Sequence, residues 1–181
     1  TGSADGTADI AAEYGAKVMK TEWRDNFSDA RNDSLSPAKS THILVIDADE
    51  RVAQDTVRDA KLKLLDPGDG WQVQIRDNLD GKMHYLQILR LFSNKPYHRF
   101  VGNVHEQVWR SIRGRLASSP LILDHLGYKS TIVAVKKKRQ RNIGLLLEQS
   151  KREDVSNQAY LSFQAATEMM FSGSYLEAVT I

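Results

Sequence analysis

Cysteine is absent from all 181 residues, which removes disulfides, thiolate nucleophiles and zinc-thiolate sites together. A charge excess of one sign is missing too. Lys and Arg number 25 against 23 for Asp and Glu, a formal net charge of +2, so no global field marks a nucleic-acid or membrane binder. No apolar run approaches the roughly 20 residues of a transmembrane helix, and no signal-peptide pattern is visible. There is no glycine-rich phosphate loop ending in Lys-Ser or Lys-Thr, which argues against a nucleotide-binding phosphotransferase. What is left is an ordinary globular composition, long enough for one substantial core with a smaller attached unit.

Against that plain background one stretch stands out. Ile43-Leu44-Val45-Ile46 runs straight into Asp47-Ala48-Asp49-Glu50. Four branched apolar residues in a row predict a central parallel strand covered on both faces. Open α/β sheets bind ligands at the carboxyl ends of such strands. A bend at Ala48 would let Asp47 and Asp49 reach one divalent cation or one diphosphate, and Mg²⁺ and Mn²⁺ take such hard oxygen ligands. A plainer reading makes Asp49 the N-cap of a helix beginning near Arg51. A calcium loop is excluded, because its fifth and sixth positions hold Arg51 and Val52. A phosphatase-type aspartate loop would carry a hydroxyl residue at 51.

The pattern along the chain alternates helix and strand before changing character. Residues 8–15 predict a helix closed by Gly15, residues 16–19 a short strand, and residues 27–38 a helix capped near Asn26 or Ser28 with Pro37 at its end. Val52, Thr56, Ala60 and Leu64 recur at four-residue steps, as on one helix face. The turn cluster 66–70 ends that segment. Residues 71–75 then alternate, Asp80-Gly81 marks a hairpin turn, and residues 83–92 form the returning arm. Further extended pieces are expected at 100–108 and 121–123, followed by helices from Thr131 with a break at 154–157. The expected fold is α/β with a mixed sheet and a helical tail, divided into residues 1–130 and 131–181. The turn-forming start and the helical pair cut short near Ile181 read as a fragment of a longer chain.

Several stretches resemble, in order and spacing, the family 2 glycosyltransferases. They are Ser3-Ala4-Asp5-Gly6-Thr7, the segment 10–18, Phe27-Ser28-Asp29-Ala30-Arg31-Asn32, and Ile46-Asp47-Ala48-Asp49-Glu50. Arg90-Leu91-Phe92-Ser93-Asn94, Gly102-Asn103-Val104-His105-Glu106 and His125-Leu126-Gly127-Tyr128 look like the branch followed by tetratricopeptide-type helices. Gly173-Ser174-Tyr175-Leu176-Glu177-Ala178 is similar to the second helix of such a repeat. The resemblance implies a GT-A nucleotide-sugar-binding (Rossmann-like) fold and inverting transfer from a nucleoside diphosphate sugar. It carries the Asp-x-Asp motif onto Asp47 and Asp49 as holders of Mn²⁺ or Mg²⁺ and the donor diphosphate. Asp5 falls in a loop beside the nucleotide, and Arg31 stands where the family keeps an arginine near the donor.

An inverting transfer needs a carboxylate to take the acceptor proton and a cation against the departing diphosphate. Glu106 is the candidate base, reached just after Gly102, where backbone can approach a ligand. His105 has three open roles: orienting Glu106, contacting diphosphate, or ligating metal, with His125 its rival for the last. Arg31 could equally form a helix-surface salt bridge, and both histidines could be structural. The family's first strand and helix, with an acidic residue for the nucleotide base, lie upstream of Thr1, so this piece is expected to bind donor weakly or to be inactive.

The acceptor, whether glycan, lipid-linked or protein, is not legible. The basic run 136–141 reads as a solvated helix face or as a docking face for an acidic acceptor or phosphorylated lipid. Nucleic acid is not expected, since no aromatics interleave the charge. The helical tail is a candidate surface for a protein partner, and a cytoplasmic, membrane-peripheral location fits the set. The competing reading is a non-catalytic interaction module on a degenerate transferase domain.

Overall fold

The computed structural model describes residues 4–79, 81–126, 132–151, 153 and 155–181. In chain order its elements are α1 (Thr7–Glu13), α2 (Phe27–Leu35), β1 (His42–Leu44), β2 (Glu50–Val52), α3 (Val57–Lys63), β3 (Gly70–Leu79), β4 (Lys82–Ser93), β5 (Leu116–His125), α4 (Ile132–Ser150), α5 (Val155–Ser172) and α6 (Tyr175–Thr180). Packing divides them into two compact units. One comprises Thr1–Ser36, Gly102–Glu106 and Ser130–Ile181; the other comprises Pro37–Val101 and Gln107–Lys129. The division cuts across chain order, because the early helices and the short 102–106 loop cluster with the C-terminal helices.

The second unit is built on a five-stranded mixed sheet of order β1-β4-β3-β5-β2. Its centre is the β3–β4 hairpin, whose register closes at Leu79↔Lys82 and so leaves a two-residue connection. Gly81 sits there at φ +79°, a conformation in which a Cβ would be strained. Alternation puts Trp71, Val73 and Ile75 on one face of β3, where they pack with Leu91, Leu121, Leu123 and Ala60 of α3. β5 runs parallel to β3, pairing Ile75 with Leu123 and Asp77 with His125. β2 pairs antiparallel with the outer side of β5, setting Glu50 opposite His125.

The first unit is helical. Val104, Leu146, Leu161 and Ala165 form its core, with Phe27, Leu145 and Leu147 packed against them. Phe27 opens α2, whose N-cap Asn26 accepts from the Asp29 amide at 3.2 Å. No described helix is long and apolar enough to cross a membrane.

The mixed α/β sheet and helical tail are as expected, while several local expectations give way. The run 43–46 is not a central parallel strand: β1 is an edge strand, antiparallel to β4, and Ile46 is 42% exposed. An apolar run does not distinguish centre from edge, and here the long hairpin occupies the centre. Residues 16–19 form no strand, since they find no ladder partner among the described residues and are exposed. The helix expected from Val52 starts at Val57, because Val52 pairs with Leu123 and Ala53 N–H donates to Ile122 O at 3.0 Å. α2 stops at Leu35, short of Pro37, which has no N–H to extend the helical ladder. The stretch 100–108 keeps a single bridge, Val101↔Gln107, around a loop. Ser3, Asp80 of the hairpin turn, Gly127, Tyr128, Thr131 and Asp154 lie outside the described residues.

Candidate functional site

The carboxylates that follow β1 are shaped by a turn over 47–50. Glu50 N–H donates to Asp47 O at 3.0 Å, and Asp47 N–H donates to Glu50 Oε2 at 2.8 Å. This reciprocal bonding fixes the two ends of Asp47-Ala48-Asp49-Glu50 before any side chain is placed. Arg90 of β4 then takes two of the acids. Its Nη2 is 2.6 Å from Asp47 Oδ2 and 3.4 Å from Glu50 Oε1. Arg90 and Glu50 have side chains only 12% and 4% exposed, so this is a buried charge cluster under the turn. Asp49 is not a helix cap; it precedes β2 and faces another way.

Sheet register brings Asp49 its partner. With Glu50 opposite His125 on β5, and Asp49 O accepting from Leu126 N–H at 2.8 Å, the imidazole is level with Asp49. His125 Nε2 is 3.2 Å from Asp49 Oδ2, and its Nδ1 is 3.2 Å from Asp77 Oδ2. Burial opposes charge on this ring, but hydrogen bonds to Asp77 and Asp49 outweigh it and hold His125 above its ordinary pKa. The next pair along, Arg76 and Asp124, is a fork of two hydrogen bonds that holds the Asp124 carboxyl below its usual range.

The 3.2 Å between Asp49 Oδ2 and His125 Nε2 is a hydrogen bond that joins the two side chains to each other. Carboxylate plus imidazole is a donor set for Mn²⁺, and Mg²⁺ is served by one or two carboxylates plus phosphate oxygens. Among the described residues no group of three or more His, Asp or Glu is arranged to hold a metal. Asp47, expected beside Asp49, instead turns its Oδ2 to Arg90.

The other named residues belong to the helical unit. Arg31 on α2 forms an ion pair through Nε with Glu106 Oε1; the side chains are 25% and 11% exposed. His105 has the left-handed backbone φ of +53°, and its Nε2 is 3.5 Å from Glu168 Oε1 on α5. Asp5 accepts from Thr7 Oγ1 at 2.6 Å and from Thr7 N–H at 3.2 Å, at the exposed start of α1. The Thr7 hydroxyl, helped by its amide, holds the Asp5 carboxyl below the usual range. The structure thus pairs Arg31 with Glu106 and Asp49 with His125, while Asp5, His105 and Asp47 each have other partners.

Sequence reasoning missed Asp77, Glu50 and Glu168 as neighbours of these groups. Asp77 reaches His125 only through the parallel β3–β5 register, a contact 48 residues apart in the chain that no local pattern encodes. Arg90 lay within a motif already singled out, but its role as the cation under the turn needed β1 and β4 to be paired.

The family model described as glycosyl transferase family 2 matches residues 1–114. A TPR repeat-containing protein of Synechococcus elongatus is 35% identical over 138 residues, covering 71% of this chain and 34% of the relative. The chain therefore spans about a third of that relative's length.

Proposed function

Because this chain belongs to glycosyltransferase family 2, we propose that it serves metal-dependent, inverting transfer of a sugar from a nucleoside diphosphate sugar to an acceptor hydroxyl. What supports the metal-dependent reading is the pairing of a carboxylate, Asp49, with an imidazole, His125, at the end of paired β2 and β5, where a divalent cation would displace the proton the two share. Asp49 and His125 would hold Mn²⁺ or Mg²⁺, with Asp77 orienting the imidazole from its other nitrogen. Bound there, the cation supplies positive charge against the departing diphosphate. Asp47 has a narrower role, anchoring the turn through Arg90.

Glu106 is the proposed base. Its carboxylate accepts the proton of the acceptor hydroxyl as that oxygen bonds to the anomeric carbon, and the bond from that carbon to the diphosphate oxygen breaks with its electron pair leaving on the nucleoside diphosphate. Arg31 holds Glu106 in one orientation through its guanidinium, which supports assigning it to base positioning beside the donor contact that the family resemblance implies. Asp5 and His105 stay as proposed donor contacts. The acceptor is an unidentified glycan, lipid-linked or protein group.

A second reading, a protein-binding module, is favoured by one observation. The end of α5 and α6 expose Phe171 at 68%, Leu176 at 84% and Val179 at 86%, and the relative is named for its TPR repeats. Initial rates of UDP-sugar and GDP-sugar hydrolysis, with Mn²⁺ and with EDTA, separate the two. Mn²⁺-dependent release of nucleoside diphosphate, lost in Glu106→Gln, is the result expected of a transferase. Absence of release with every donor would leave the binding module.

A further inference from the structure

The loop Gly102–Glu106 is held by helices at each of its residues. Gly102 O accepts from Ser28 Oγ at 2.6 Å, and Asn103 O accepts from Phe27 N–H at 2.9 Å, both from the first turn of α2. Asn103 N–H donates to Gln149 Oε1 of α4 at 2.8 Å. Val104 is 6% exposed and packs with Leu146 of α4 and with Leu161 and Ala165 of α5. His105 meets Glu168 of α5, and Glu106 meets Arg31 of α2. The backbone needs this support, since Gly102 lies at φ +110° and His105 at φ +53°. A non-glycine residue in the left-handed region costs energy and persists only where its surroundings over-determine it.

We infer that α4 and α5 are part of the catalytic apparatus, with Gln149 and Glu168 as positioning residues that fix the loop presenting Glu106. This rests on the assignment of Glu106 as the base. The two sets of contacts divide the labour. Arg31 fixes the end of the Glu106 side chain, whereas Gln149, Glu168 and the Val104 pocket fix the backbone from which it projects. Glu168 is itself braced by Asn142 Nδ2 at 3.3 Å and faces Arg139 Nε at 3.9 Å, so its carboxylate has a set direction before His105 reaches it. The tail thereby does more than offer a docking surface: the chemistry depends on it.

The test uses the whole chain with Gln149→Ala, Glu168→Ala and the near-isosteric Glu168→Gln. Amide hydrogen exchange over 102–106 is followed alongside Mn²⁺-supported hydrolysis of UDP-glucose and GDP-mannose. Faster exchange in the loop is expected for the two alanine variants, with the protection of β3 and β5 unchanged. A base displaced by about 1 Å loses of the order of a hundredfold in rate, so kcat should fall at least about tenfold, with the donor KM within about twofold in Gln149→Ala, which leaves His105 and Glu168 paired. Glu168→Gln, which keeps the hydrogen-bonding shape, should recover most of kcat. Unchanged loop exchange, or faster exchange with unchanged kcat, would overturn the inference. Loop exchange that responds as expected in a protein whose Glu106→Gln variant turns donor over as fast as wild type would overturn the base assignment and leave the helical clamp standing.

Discussion

Replacing Arg90 by methionine should be among the most damaging single changes to the sheet unit. The substitution keeps an apolar stem of similar length and removes only the guanidinium. What it leaves behind decides the cost. Glu50, 4% exposed, loses a cation 3.4 Å away, and Asp47, 33% exposed, loses one at 2.6 Å. Breaking a buried pair by deleting one partner costs about 3–5 kcal/mol, because the remaining charge is stranded. Asp47 recovers part of this by rehydration, which lowers the expected loss to about 2–4 kcal/mol. Urea unfolding followed by circular dichroism measures it. Neutralising the stranded acid in Arg90→Met/Glu50→Gln should return about 1–2 kcal/mol, the unpaired-charge part of the penalty. A loss below about 1 kcal/mol, or a double variant no more stable than the single, would refute the claim that this charge cluster holds the turn over 47–50.

Other outcomes follow from the opposite end of the sheet. A Cβ on Gly114 would lie 1.8 Å from Asp69 Oδ2, so Gly114→Ala must swing that carboxylate away from Lys95 Nζ at 2.6 Å and Ser93 Oγ at 3.0 Å. The loss of these charge-assisted contacts should cost about 1.5–3 kcal/mol in the same urea assay. Asp69 itself has its pKa lowered by the Lys95 hydrogen bond, against the opposing effect of burial and with help from the Ser93 hydroxyl. A depressed folded-state value means its contribution is present above the unfolded value near 4 and is lost as pH falls through the folded one. Asp69→Asn should therefore lower stability at pH 7 and flatten its decline below about pH 4; a variant whose acid limb matches wild type contradicts the assignment.

How much of this was legible in advance depended on whether the signal was local. The β3–β4 hairpin announced itself through alternation from Trp71 and the Asp80-Gly81 turn, and the α2 cap was narrowed to Asn26 or Ser28, of which the structure uses Asn26. The Asp-x-Asp turn was found from its apolar lead-in, yet its placement at the sheet edge was not, because an apolar run carries no information about which strands flank it. The basic run on α4 divides in a way no composition could show. Arg139 lies over Phe171 at 5.1 Å and Arg141 over Phe27 at 5.0 Å, whereas Lys137 and Lys138 are exposed. The partners of His105 and His125 were illegible for the same reason. Glu168 and Asp77 are far along the chain, and only helix packing and strand register bring them in.

The most direct test of the central claim is calorimetric titration of UDP and GDP into this chain, with and without Mn²⁺, repeated on Asp49→Ala. The account predicts binding of one nucleotide that requires Mn²⁺ and disappears in Asp49→Ala. Binding that is indifferent to Mn²⁺ or that survives Asp49→Ala would contradict the assignment of Asp49 and His125 as the cation-holding pair.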